Sequence, residues 1–214
     1  MIRLEKHISL HDHDEPAEEI ASGVTHALGV ALALAGTVLL LRRADSPVEM
    51  AGYLVFGIAM TGLFTASSVY HFAPRGNVKR LFRLLDHLSI FVLIAGTYTP
   101  IMIHLAVPWA YRTLAAVWIL AVTGMILKAV LWDRFGRMQI LFFLGMGWLA
   151  AIRLPQLLEL APGRFLVLML SGGISYTLGV VVYSLKRVPF NHALWHLFVL
   201  GGAICFFLGV YLYL

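Results

Sequence analysis

The chain has 214 residues, 60% of them hydrophobic and only 13% charged. Soluble domains carry about 25% charged residues, so a soluble domain of useful size is excluded. The net charge of +5 would suit a nucleic-acid binder. However, the basic residues sit in short gaps between apolar runs, the pattern of a membrane protein, and nucleic acid is not expected as a partner.

In chain order, residues 1–19 are polar and net acidic and are expected to form a disordered cytoplasmic tail. They lack the apolar core of a cleaved signal peptide, so the first apolar run is expected to act as an uncleaved anchor. Residues 20–214 are expected to form one transmembrane domain. The apolar runs are Ile20–Leu41, Met50–Phe72, Leu81–Leu105, Tyr111–Leu131, Met138–Leu158, Phe165–Leu185 and Phe190–Leu214. Each is near the roughly 20 residues that cross a hydrocarbon layer about 30 Å thick. Pro, Gly and charged residues separate them, as in Arg42-Arg43-Ala44-Asp45-Ser46-Pro47 and Asp133-Arg134-Phe135-Gly136. Backbone in lipid must satisfy its own hydrogen bonds, so the runs are helices, and the fold class is all-α, a seven-transmembrane-helix bundle. Arg153, Pro155 and Glu159 crowd the fifth run, which leaves six spans as the alternative count.

Thr97-Tyr98-Thr99-Pro100 predicts a proline-adjusted stretch with capping hydroxyls. Most of the 16 Lys and Arg residues fall in the tail and in the second, fourth and sixth loops. By the positive-inside rule this predicts a cytoplasmic N-terminus and an external C-terminus. The one cysteine, Cys205, excludes an intrachain disulfide. The pairs Gly172-Gly173 and Gly201-Gly202 are read as close helix packing. The segment His11-Asp12-His13-Asp14-Glu15 is read as solvated tail in preference to a weak metal site.

Ionisable groups inside spans are costly and mark functional sites by default. Asp86, His26, His71, His192 and His196 all fall within about 10 Å of one membrane face, counting residues from the ends of their runs. Hydrophobicity alone does not demand that coincidence. His192 and His196 stand at i and i+4 and share a helix face, as do Ser67 and His71. Three imidazoles suit a zinc site that keeps a fourth position open for water. Asp86 would then act as outer partner, fourth ligand or proton acceptor. A structural polar network remains the competing reading of the same residues. His87, next to Asp86, points about 100° away and is not read as a ligand.

The order and spacing of several motifs resemble those of a known family. They are Glu19-x-x-Ser22-x-x-x-His26, Ser67-x-x-x-His71 and Leu85-Asp86-His87-x-x-Ile90 running into Ala95-Gly96-Thr97-Tyr98-Thr99-Pro100. Met146-Gly147-Trp148 and Pro189-x-Asn191-His192-Ala193-x-Trp195-His196 complete the set. Together they resemble the haemolysin III family, the bacterial branch of the progestin and adiponectin receptor superfamily, over nearly the whole chain. The resemblance implies a multi-pass protein of the bacterial inner (plasma) membrane. It also implies a zinc ion near the cytoplasmic face, held at the positions of His71, His192 and His196. Asp86 and Ser67 match the residues expected to hold or activate the water that zinc binds. The first-helix motif, Glu19, Ser22 and His26, is carried over only as a near-site feature.

The leading functional expectation is a zinc-dependent hydrolase of a membrane lipid amide or ester, with lipid as substrate or ligand. Two alternatives stand beside it. One is a non-enzymatic sensor or regulator of lipid or energy homeostasis with a structural zinc. The other is a cytolytic haemolysin. A pore would need polar residues along the full bilayer depth, whereas here they gather toward one face. Substrate and oligomeric state are not legible, and a histidine-rich site also suits iron or cobalt.

Overall fold

A computed structural model describes residues 4–10, 15–185 and 187–214. The His11–Asp14 part of the acidic-histidine segment and Lys186 of the last loop lie outside the described residues. The described residues are helical, with no strand among them. Seven stretches are long and apolar enough to cross a membrane.

A short helix, α1 (Leu4–His7), precedes α2 (Pro16–Leu41), α3 (Pro47–Phe72), α4 (Asn77–Leu105) and α5 (Pro108–Val130). The fifth span, Met138–Leu160, is broken. It comprises α6 (Gly136–Gly147), a 3-10 segment (Leu149–Arg153) and α7 (Leu154–Leu160). Helices α8 (Gly163–Ser184) and α9 (Asn191–Tyr213) complete the bundle.

Most spans begin earlier than the apolar runs suggest. Pro16, Pro47 and Pro108 each open a helix. Proline is suited to that position because its missing N–H has no partner there and its φ is already helical. Ser46 caps α3 by accepting from the Glu49 N–H at 3.2 Å. Hydropathy does not register such polar first turns.

The expected tail also differs. Pro16–Glu19 belong to the first turn of α2. Residues 4–10 lie across the ends of α4 and α5. Ile8 is fully buried, Arg80 Nε donates to its carbonyl at 3.2 Å, and Arg83 donates to the Ser9 carbonyl. The burial of Ile8 and these two bonds outweigh the local polarity of the segment.

Helix α3 lies between α2 and α4, α8 pairs with α9, and α9 returns to α2. Phe56 and Phe64 of α3 are buried in the core, Phe64 against Gly29 of α2, and Phe91 of α4 packs against Gly124 of α5 and the Phe143 ring of α6. Ile58, Ile119, Leu141 and Ile152 point outward as a lipid-compatible surface. Close approach is built on small residues. A Cβ on Gly202 would lie 2.4 Å from the Tyr176 ring, and one on Gly172 would lie 2.7 Å from the Phe206 ring. Both contacts join α8 to α9, in keeping with the packing role expected of the glycine pairs.

Helix α4 runs unbroken through Pro100. The hydroxyls of Thr97 and Thr99 do not cap a helix end. They donate back to the carbonyls of Leu93 and Ala95, at 2.8 and 2.9 Å. Tyr98 reaches across to the broken span instead. Its hydroxyl lies 3.0 Å from the carbonyls of both Met146 and Gly147, and it accepts from the Ala150 N–H at 3.0 Å. An interrupted helix inside a bilayer needs such partners for its freed backbone groups. Tyr98→Phe is therefore expected to cost about 1–2 kcal/mol, read as a lower unfolding midpoint of the detergent-solubilised protein.

Candidate metal centre

The N-termini of α2, α4 and α9 and the C-termini of α3 and α8 lie at one face of the bundle, by the alternation of the spans. His71 is in the last turn of α3, and Ser67 is one turn before it. Asp86 is in the early part of α4, and His192 and His196 are in the first turns of α9. The face that was read from sequence as crowded with ionisable groups is thus assembled from adjacent helices.

His71, His192 and His196 each offer a ring nitrogen, and these atoms lie within 4.8 Å of one another. The rings meet edge to face. The centroid separations are 4.9 Å for His71–His192, 4.9 Å for His71–His196 and 4.7 Å for His192–His196, with interplanar angles of 74°, 71° and 76°. Nitrogens bound to one tetrahedral zinc at about 2.0–2.1 Å stand about 3.3 Å apart, within that 4.8 Å limit. His71 and His196 are 4% and 1% exposed. His71 Nε2 is buried without a hydrogen-bond partner, while Nδ1 faces Glu19 Oε1 at 3.4 Å. Such an orphaned nitrogen costs about 1–3 kcal/mol and calls for a missing partner. The donor chemistry and the orphaned nitrogen both fit a divalent cation such as zinc.

The surroundings divide the cluster. His192 and His196 line a cavity of about 820 Å³ that runs between α4, the broken span and α8. Its wall is mostly apolar and includes Phe143, Leu166 and Phe206. Asp86 is half-buried at this wall, with Ser67, His71 and Arg83 as polar neighbours. His71 lines a smaller recess of about 330 Å³ together with Glu19, Arg75 and Lys79.

The remaining histidines separate clearly. His26, 2% exposed, stacks parallel on His196 with centroids 3.7 Å apart, and both its ring nitrogens lack a hydrogen-bond partner. Its depth in the first span and its position in the first-helix motif were the sequence signals of this proximity. His87 lies apart from the cluster. Its Nδ1 is 3.0 Å from Gln139 Nε2, and its ring meets Trp132 edge to face.

Two neighbours of the cluster carry no motif reading. Glu18 accepts from the backbone N–H of His192 at 2.9 Å. Lys79 contacts the Glu19 carboxylate at 2.5 Å. A lysine near the start of a span reads equally well as a headgroup residue, so sequence spacing gave no reason to single it out.

Comparison with other proteins supplies an independent line. The haemolysin-III-related family profile matches residues 15–207. The chain is 38% identical to hemolysin-3 of Bacillus cereus, over 92% of this chain and 91% of that protein. It is 36% identical to a hemolysin-3 homolog of Bacillus subtilis (strain 168), over 92% and 94%. It is also 28% identical to the monocyte to macrophage differentiation factor of Homo sapiens, over 92% and 84%. No solved structure matches the chain.

If the cluster holds a metal, purified wild-type protein should contain about one ion per chain, and His192→Ala and His196→Ala should lose it. Elemental analysis of the three proteins side by side checks this. Equal metal content in all three would remove the site.

Proposed function

The chain belongs to the haemolysin-III-related family, and on that premise we propose that it is a membrane-embedded, zinc-dependent hydrolase of a lipid amide or ester. One observation carries the reading. Three convergent imidazoles, one with an orphaned nitrogen, sit beside a carboxylate at the wall of a largely apolar cavity. A purely structural metal clamp has no use for such a cavity, whose volume of about 820 Å³ is in the range of ligand pockets.

His71, His192 and His196 would hold the ion. When bound, zinc supplies Lewis-acid polarisation of an acyl carbonyl and acidifies water. The chain's own residues carry the rest. The apolar wall takes the acyl chain and keeps bulk water from the reacting carbonyl. The Ser67 hydroxyl, buried beside Asp86, orients the attacking water. Asp86 accepts a proton from that water as its oxygen joins the acyl carbon. The acyl C–N or C–O bond then breaks, and Asp86 returns the proton to the departing amine or alcohol. The products are a fatty acid and the de-acylated remainder of the lipid.

The charge distribution supports an orientation with this site at the cytoplasmic leaflet of the bacterial inner membrane. Substrate would then be a lipid of that leaflet.

The test uses metal-replete protein in mixed micelles with a bacterial polar lipid extract, reading the release of free fatty acid. Asp86→Asn should keep its metal and lose about 10²–10⁴-fold in rate, the usual contribution of a general base. Undiminished release by this variant removes Asp86 from the reaction. Absence of release by the wild type, against a lipid panel that includes amides and esters, overturns the enzymatic reading.

A further inference from the structure

Successive turns of α2 meet the three clustered histidines one after another, although α2 gives no residue to the cluster itself. Glu18 accepts from the His192 backbone N–H at 2.9 Å. Glu19 Oε1 lies 3.4 Å from His71 Nδ1. The Ser22 carbonyl lies 3.2 Å from His196 Nδ1. One turn deeper, His26 stacks on the His196 ring. Glu19, Ser22 and His26 stand at i, i+3 and i+7, on one face of the helix. Helix packing by itself requires apolar contact at this seam, and it does not require each polar group to address a different imidazole.

We propose that the first half of α2 is the orienting shell of the metal centre, with Glu19 as its principal positioning residue. The proposal rests on the reading of the three histidines as metal ligands. An imidazole that binds a metal through one nitrogen commonly donates its other N–H to a carboxylate or a carbonyl, which fixes both tautomer and ring plane. Glu19 supplies that acceptor to His71, and the Ser22 carbonyl supplies it to His196. In both rings Nδ1 is thereby committed to α2, and Nε2 is left for the ion.

Glu19 is itself held. Its other carboxylate oxygen, Oε2, lies 2.5 Å from Lys79 Nζ. Lys79 is 8% exposed and also points toward the His71 carbonyl at 3.5 Å. Lys79, Glu19 and His71 therefore form a chain from α4 through α2 to α3, with the lysine buried and the carboxylate partly buried. The Ser68 hydroxyl donates to the Gly23 carbonyl at 3.0 Å and ties α3 to α2 beside it. At the same place a Cβ on Gly23 would lie 2.7 Å from the Phe72 ring. Glycine here lets the two helices come close enough for Glu19 to reach His71.

Glu18 acts differently. The first N–H groups of α9 have no partner within their own helix, and Phe190, which precedes α9, provides no side-chain cap. Glu18 caps α9 from another helix and so fixes the height at which His192 and His196 enter the site.

The experiment uses full-length protein in detergent, stripped by a chelator. It is titrated with Zn²⁺ against a chromophoric competitor and then with Co²⁺, whose visible absorption reports coordination geometry. Glu19→Gln should bind Zn²⁺ about 10–100-fold more weakly and alter the Co²⁺ spectrum. A buried Lys79 left without its carboxylate can impair folding. The double variant Glu19→Gln/Lys79→Met removes both charges and should show the same loss of affinity. Wild-type affinity and an unchanged Co²⁺ spectrum in either variant would overturn the positioning role. His196→Ala is the control. If it too binds as the wild type does, the metal reading itself has failed, and the failure is not specific to Glu19.

Discussion

A polar group buried in a bilayer has to find its partner inside the protein, because hydrocarbon offers none. This constraint explains more of the molecule than hydropathy does. It explains why Tyr98 crosses to the broken fifth span, where helical hydrogen bonds are missing. It explains why Thr97 and Thr99 turn back on their own helix. Applied to His71, it leaves a residue whose Nε2 has no hydrogen-bond partner at 4% exposure. An orphaned imidazole nitrogen is an expensive exception to this constraint, and both nitrogens of neighbouring His26 share it. The exception has a physical explanation if a cation completes the site.

The fold was largely legible because length and hydropathy report directly on spanning helices. The seven runs, the all-helical class and the adjacency of the polar residues at one face all follow from that arithmetic. The boundaries were less legible. Pro16, Pro47 and Pro108 start helices in polar sequence, and a hydropathy window gives such first turns no weight. The fifth span was readable as weak from Arg153 and Pro155. The break itself comes earlier, after Gly147, and depends on a tyrosine from α4 that local sequence does not reveal.

The candidate site was legible in part for a similar reason. His192 and His196 announce themselves by i, i+4 spacing, and Ser67 and His71 do the same. The approach of α3 to α9 is a tertiary fact, and spacing within a helix is silent about it. Glu18 and Lys79 were missed altogether. A carboxylate capping a distant helix and a lysine joined to Glu19 by a long-range ion pair leave no periodic mark. Residues 4–10 were misleading in the opposite sense. Their polarity suggests a free tail, yet Ile8 and two backbone carbonyls are enough to anchor them to α4.

The two sides of the large cavity differ in construction, and the difference suits the lipid-hydrolysing role proposed for it. The histidine side is carried by α3 and α9 and braced by α2, with buried residues such as Phe64, Ala66 and Val199 along it. Rigid helices of this kind hold functional groups in place better than irregular segments do. The facing side is the broken span, where α6, the 3-10 segment and α7 turn mostly exposed apolar surface outward and bury little. Segments with few buried contacts open at lower free energy than the core. Precision is therefore concentrated where three imidazoles must converge, and tolerance where a long, flexible acyl chain would have to pass. A uniformly packed seven-helix bundle would hold the histidines as well, but it would leave no space beside them for a substrate.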